Sequence, residues 1–410
     1  MRRRAYLAGI GTALTALAGC LGTDRPADGE VAGPGGPPSE RARVGDSGTV
    51  TVDDGTSGTR APGPSEGVPH LDEVDLPLEG SALTYATGKD TIPAITDPAF
   101  GRDWAGVTIP DYAGEAAKPR LEPTDEVIGV VRQGSARAYP LLVLSEHEVV
   151  NDTFYGPLLV TYCPLCGAGV TAIRRVGGEA TVFGVSGKLW KSDLVMYDDL
   201  TGSYWSQILA TAVRGPATGA SLDLVPSTLT TWGAWRATHP ETRVLRPPPE
   251  SETITGRTLG SYVGDPYAAY EESRLIGVTG ERATDTRLHP KARVLGIPDG
   301  DGVAKAYPMD TVRAAGGVVN DAVGSRPVVV ATGPGDALVG YDRLVGGSVL
   351  RFAAGNERYL TAGGSRWGRL TGDAVDGPHE GTTLRAANAR PPMYWFAWLG
   401  FHPETTIFEA

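Results

Sequence analysis

The feature that most constrains this chain is that its apolar part reads as one pattern written twice. Ala138-Tyr139-Pro140 returns as Ala306-Tyr307-Pro308, and Val149-Val150-Asn151-Asp152 returns as Val318-Val319-Asn320-Asp321. Gly215-Pro216 returns as Gly377-Pro378. Trp232, Trp235 and His239-Pro240-Glu241-Thr242 return as Trp395, Trp398 and His402-Pro403-Glu404-Thr405. The order is kept and the offset drifts only from 162 to 169 residues. A self-similarity of that kind predicts a repeated structural unit. The expectation is two homologous lobes from an internal duplication, 80–245 and 255–410, packed face to face about a pseudo-twofold.

Within each lobe the apolar runs are short, β-branched and bounded by Gly or Pro, as in EVIGVVR, PLLVTY, RPVVVAT and SVLRFAA. Such runs read as strands. With 56 glycines and 32 prolines in 410 residues, turns should be plentiful and helices few. The best helical stretches are 141–149 and 230–239, the second stopped by Pro240, which cannot continue a helix. The fold class expected is therefore α+β and β-dominated.

The first seventy residues read differently. Arg2, Arg3 and Arg4 precede an apolar run from Ala5 to Ala18, too short to span a bilayer and proportioned like a signal-peptide core. Arg3-Arg4 in this setting is similar to the twin-arginine export signal. Leu17-Ala18-Gly19-Cys20 resembles a lipobox, in which Cys20 would carry the lipid and become the new N-terminus. Residues 1–20 are thus an expected lipoprotein signal. Residues 21–75, rich in Gly, Pro, Ser and Asp, hold too little apolar surface to fold and are expected to be a tether. Together they predict an exported protein on the extracellular side of the cell membrane, partnered with the membrane through its lipid. A net charge of -11 supplies no basic stripe, so nucleic acid is excluded as a partner. Only six of the 37 basic residues are lysine, a surface suited to high salt.

The repeat also separates scaffold from chemistry. Tyr139 and Tyr307, Asn151 and Asn320, Trp235 and Trp398, and His239 and His402 occur in both copies and read as structural, the histidines as helix ends before Pro and the Asn-Asp pairs as turns. Three segments set the first copy apart: Ser145 to Glu148 with His147, the run Tyr162-Cys163-Pro164-Leu165-Cys166-Gly167, and Lys188 to Asp198, which has only a shortened counterpart before Trp367. Their joint loss or shortening in the second copy suggests that they converge on one site.

Cys163 and Cys166 have the spacing of a metal knuckle, where Pro and Gly shape a turn that aims backbone N–H groups at two thiolates. No second Cys-x-x-Cys exists, so further ligands must come from elsewhere. His147 is the first candidate, with Met196, Glu148 or Asp193 as a fourth. Met would favour one copper ion and a carboxylate one zinc ion. The pair could instead cycle between dithiol and disulfide, although no helix N-terminus follows to depress a thiol pKa. It could also be a structural disulfide in a non-enzymatic surface protein, and a lone histidine among apolar residues is also the pattern of a hydrogen-bonded core group. Lys188, Lys191 and Ser192 are candidates for holding a small polar ligand near the sulfurs. Gly184-Val185-Ser186-Gly187-Lys188 lacks the glycine of a nucleophile elbow and the glycine and hydroxyl of a phosphate loop.

Taken in order, Ile92-Pro93-Ala94-Ile95-Thr96-Asp97-Pro98, His147-Glu148-Val149-Val150-Asn151-Asp152, Tyr162 to Gly167, Phe183 to Gly187, Ser192-Asp193-Leu194 and Tyr204-Trp205-Ser206-Gln207 resemble the signature of the DUF3179 family. The resemblance covers at least 90–245 and, more weakly, the second lobe. It implies an exported prokaryotic protein and supplies no reaction. The second lobe lacks the histidine and cysteines of the signature, which implies a supporting lobe.

Overall fold

The computed structural model describes residues 74–110, 116–300 and 302–410. The expected signal, with Arg3, Arg4 and Cys20, and all but the last two residues of the tether lie outside them. Strand dominates, at 41% against 12% helix, and the strands are arranged as a six-bladed β-propeller. Among the described residues, six sheets have three or more strands, three built around each of the two similar stretches.

The first sheet starts from a hairpin. Glu126–Arg132 pairs with Ser135–Pro140 through Gln133 and Gly134, both at positive φ (46° and 76°). A two-residue turn of that hand matches the twist of the strands it joins. Arg243–Leu245 then lies parallel to Ser135–Pro140. In the second stretch, Arg293–Pro298 pairs with Ala304–Pro308, and Thr406–Ile407 lies parallel to the latter. The repeated Trp and Thr residues explain why the chain returns to the same edge. Trp235 Nε1 donates to Thr242 Oγ1 at 3.0 Å, and Trp398 Nε1 donates to Thr405 Oγ1 at 3.0 Å. The two indoles lie on Gly129 and Gly296, where an added Cβ would stand 2.4 Å from the ring. The helices are Trp232–Thr238 and Trp395–Phe401, and His239 and His402 are their C-caps, as expected from the sequence. The other predicted helix is Leu141–His147.

The second and fifth sheets carry the repeated Asn-Asp pairs, which are not turns. Asn151 sits within the strand Val149–Thr153 and Asn320 within Val318–Val323. Asn151 Nδ2 donates to Phe183 O at 2.8 Å while Phe183 N donates to Asn151 Oδ1 at 2.7 Å. Asn320 makes the same reciprocal pair with Phe352, at 2.7 and 2.8 Å. A primary amide offers one donor and one acceptor in the spacing of a backbone edge, so it fastens one sheet to the next. The neighbouring aspartates are also structural: Tyr139 donates to Asp152 at 2.6 Å and Tyr307 to Asp321 at 2.9 Å.

The stretches 80–245 and 255–410 do not pack as two separate bodies. All the described residues fall in one compact unit. One buried cluster holds Cys163, Cys166 and Trp190 together with Val294, Met393, Trp395 and Trp398. Apolar faces of both stretches meet in that cluster, while other buried clusters, such as the one of Ile128, Tyr139 and Trp235 and the one of Leu295, Tyr307 and Val328, draw chiefly on residues of one stretch.

Candidate metal centre

Two hairpins of the second and third sheets bring the site together. Pro157–Cys163 pairs with Ala168–Ile173, and the closing pair is Cys163 with Ala168. The loop between them holds Cys166, whose N–H donates to Cys163 O at 3.1 Å and whose carbonyl accepts from Tyr394 N at 3.0 Å. Gly167 has φ +56°, and an added Cβ there would stand 2.8 Å from the Tyr394 ring. Glycine is required twice over, by backbone hand and by space. Both cysteines are free thiols and at most 1% exposed.

The second hairpin joins Phe183–Trp190 to Asp193–Asp198 through Lys191 and Ser192, at φ +53° and +68°. Two successive left-handed residues without glycine are costly, and such strain concentrates at functional sites. Its effect is to aim the Ser192 carbonyl at the sulfurs: Cys166 Sγ donates to it at 3.1 Å and Cys163 Sγ at 3.7 Å. The knuckle geometry expected from the spacing, with backbone N–H groups facing the sulfurs, is replaced among the described contacts by thiols facing a carbonyl.

Asp193 follows directly. It is fully buried, accepts from Ser206 Oγ at 2.5 Å and from Ile208 N at 3.3 Å. One of its oxygens and the sulfurs of Cys163 and Cys166 all lie within 4.8 Å of one another. Burial pushes Asp193 up to about 7. Glu148 stands close by at the end of helix Leu141–His147, itself at φ +56°. Burial, with repulsion from Asp193, pushes Glu148 up to about 8. The Cys166 thiol is pushed well up by burial and then by Cys163, Asp193 and Glu148. The cation that acts on Asp193 is Arg390, whose Nε and Nη2 are bonded to the carbonyls of Ile208 and Leu209 at 2.6 and 3.1 Å.

The other expected ligands go elsewhere. His147 is fully buried, with Nδ1 2.7 Å from Pro93 O and Nε2 2.6 Å from the Tyr262 hydroxyl. A carbonyl can only accept, so Nδ1 carries the proton and Nε2 accepts from Tyr262. Both nitrogens are spent, and burial lowers the ring to about 4. His147 is a satisfied core histidine beside the site. Met196 lies three residues along the strand from Asp193, hence on its opposite face, and is buried in the core. Lys191 Nζ donates to Gly400 O at 2.8 Å, Lys188 takes a strand position opposite Tyr85, and Ser192 contributes its carbonyl. These three do not converge on a ligand.

Sequence reasoning missed the cover. Tyr262 and Tyr270 come from the start of the second stretch, ahead of Ala306-Tyr307-Pro308, the first of its repeated motifs. Tyr270 donates to Leu165 O, inside the cysteine loop, at 3.0 Å, and the Lys291 ammonium stands 3.9 Å over its ring. Ser206 was in plain view within Tyr204-Trp205-Ser206-Gln207, but nothing in spacing links it to Asp193. Two thiols and a carboxyl that lose their protons together become three anionic donors around one point, a set that suits a borderline cation such as zinc.

Comparison with known proteins agrees with the residues that carry the earlier resemblance. No curated protein and no solved structure matches the chain. The profile of one family, described as "Protein of unknown function (DUF3179)", matches residues 89–405, which take in the cysteine loop, both hairpins and the cover. The chain belongs to the DUF3179 family.

Proposed function

We propose that this chain is an exported, lipid-anchored protein that holds one zinc ion on Cys163, Cys166 and Asp193, with Glu148, which interacts electrostatically with Asp193 and Cys166, as a candidate further donor. The observation that carries the reading is the three ligand atoms within 4.8 Å of one another in a fully buried setting. Ionising three such groups away from water is unfavourable unless a cation joins them. Tetrahedral zinc with sulfur at roughly 2.3 Å and oxygen at roughly 2.0 Å needs only a small contraction of that triangle. With Met196 turned away and His147 satisfied, the softer set that would favour copper is not assembled, so zinc is preferred to copper.

The thiol pair supports a second reading, an oxidoreductase or thiol carrier, because both cysteines are free. Two features weigh against it. Among the described residues, both sulfurs donate to the Ser192 carbonyl, and Cys163 and Cys166 lie at a strand-to-strand loop, not at a helix N-terminus that would stabilise a thiolate. Both sit at 1% exposure or less, out of reach of a protein disulfide. We also read the two similar stretches as copies of one three-sheet unit, supported by the matching Trp–Thr, Asn–Phe and Tyr–Asp contacts. Metal analysis of protein matured without chelator or reductant tests the main reading. One zinc per chain supports it; no metal together with a Cys163–Cys166 disulfide in peptide mass spectra overturns it.

A further inference from the structure

A recess of about 210 Å³ opens beside the cysteine loop, with Pro164 of that loop in its wall and none of Cys163, Cys166 and Asp193 lining it. It is smaller than the roughly 300–1,000 Å³ of drug-sized sites, so only a small occupant fits. Four carboxylates line it, those of Asp125, Glu126, Asp265 and Glu271. Two cations act on them from outside the lining. Arg293 pairs with both oxygens of Glu126 at 2.5 and 2.7 Å and stands 3.7 Å from Glu271 Oε1. Lys291 feels Glu271 but gives its ammonium to the carbonyls of Ser273 and Leu275. Asp125 Oδ2 accepts from Glu122 N at 2.7 Å and Asp265 Oδ1 from Tyr267 N at 2.8 Å. Among the described residues, the second oxygen of each of these two aspartates has no partner.

Carboxylates at a surface are ordinarily satisfied by water, whereas a buried phenol without a partner is uncommon. Tyr162 is such a residue. It is 4% exposed, yet its hydroxyl makes no hydrogen bond among the described residues and is not one of the atoms sealed from solvent. Tyr162 lines the recess. Burial holds its phenol well above the usual value, so it remains an O–H, and after Arg293 the charges it feels most are those of Glu126, Glu271 and Asp265. All three of these carboxylates belong to the recess wall, which places the hydroxyl toward it. Tyr267 adds a second aromatic ring to the wall. The carboxylates do not gather around one metal ion, since the only such group among the described residues is that of Cys163, Cys166 and Asp193. Separated acceptors suit an ammonium group instead, which carries three N–H donors pointing in three directions. An aromatic wall accommodates the same charge.

We propose that this recess binds the ammonium end of a small primary amine, with its N–H groups received by the Tyr162 hydroxyl oxygen and the unpaired oxygens of Asp125 and Asp265. The inference stands apart from the metal reading, because the recess shares no ligand atom with the cysteine site and amine binding is read on protein with or without zinc. Calorimetry on the full chain near neutral pH tests it with three probes: butylammonium, 1-butanol, which has the same shape and no charge, and calcium. The expected result is that butylammonium binds at least about tenfold more tightly than 1-butanol. Tyr162→Phe and Asp265→Asn should each weaken butylammonium at least about threefold and leave 1-butanol unchanged. Neither change removes a contact of the fold, since the phenol O–H is unpaired and asparagine still accepts from Tyr267 N. Should either variant fail to fold, the other decides. Equal binding of butylammonium and 1-butanol, or unchanged affinity in the variants, would overturn the proposal by making the recess an uncharged notch. Binding of calcium without butylammonium would overturn it by making the carboxylates a metal site, and binding of none of the three by leaving water as their partner.

Discussion

The Ser192 carbonyl oxygen stands 3.1 Å from the Cys166 sulfur because two consecutive residues, Lys191 and Ser192, hold left-handed backbone where a glycine would be easier. The hairpin could close with Asn-Gly at no cost in register. What its present residues share with that alternative is the carbonyl direction, so the strain and the aim can be separated. Ser192→Gly is expected to raise stability by roughly 0.5–1 kcal/mol while leaving the carbonyl in place. Urea unfolding measures this; a loss of stability would mean that the Ser192 side chain, not the backbone turn, holds the loop.

Gly167 is the converse case. Alanine there meets both a positive φ and the Tyr394 ring at 2.8 Å. The backbone penalty of roughly 1 kcal/mol and the overpacking penalty of roughly 1–3 kcal/mol add to an expected loss of roughly 2–4 kcal/mol. Gly346, at the same φ of +56° with nothing within 4 Å of an added Cβ, is the control. Gly346→Ala is expected to cost only the backbone part, and equal losses at the two positions would remove Tyr394 from the explanation.

The amide fasteners give a paired prediction. Asn151→Ala orphans the N–H and C=O of Phe183, and Asn320→Ala those of Phe352. An unsatisfied buried polar group costs roughly 1–3 kcal/mol. Asn151 is 2% exposed whereas Asn320 is only partly buried, so Asn151→Ala should be the more damaging. Denaturant midpoints of the two variants check the order, and the reverse order would contradict it.

His147 makes stability depend on pH with a definite sign. Its ring titrates near 6.5 when unfolded and at about 4 when buried in the fold. Between those values the unfolded chain binds more protons, so His147 contributes stability that is whole above about 6.5 and lost as pH falls towards 4. The loss is at most about 3 kcal/mol. In His147→Gln that part of the profile should flatten. A variant whose stability falls between pH 7 and 4 as steeply as that of the wild type would show that the histidine is not buried neutral.

How much of this was legible in the sequence depends on the residue. Trp235, Thr242, Trp398 and Thr405 were legible as scaffold because each contact is made twice. The same comparison singled out Cys163, Cys166, Glu148 and Asp193, which one copy alone carries. It failed for His147, since a residue present only once can serve the core as well as the chemistry, and only the positions of Pro93 O and Tyr262 distinguish the two. It failed for Met196, where strand alternation turns a sequence neighbour of Asp193 to the opposite face. The Asn-Asp pairs were misread as turns because turn propensity is local, while the partners of Asn151 and Asn320 lie 32 residues away. Three sheets per stretch were not foreseen either, since strand order depends on pairings that short apolar runs do not encode.

The most direct measurement compares bound metal in His147→Gln and Asp193→Asn, each matured like the wild type. The expected result is that His147→Gln keeps one zinc per chain, whereas Asp193→Asn, which removes the anionic donor of the buried triangle, loses affinity by at least about tenfold. Loss of metal from His147→Gln with full retention in Asp193→Asn would contradict the site built on Cys163, Cys166 and Asp193.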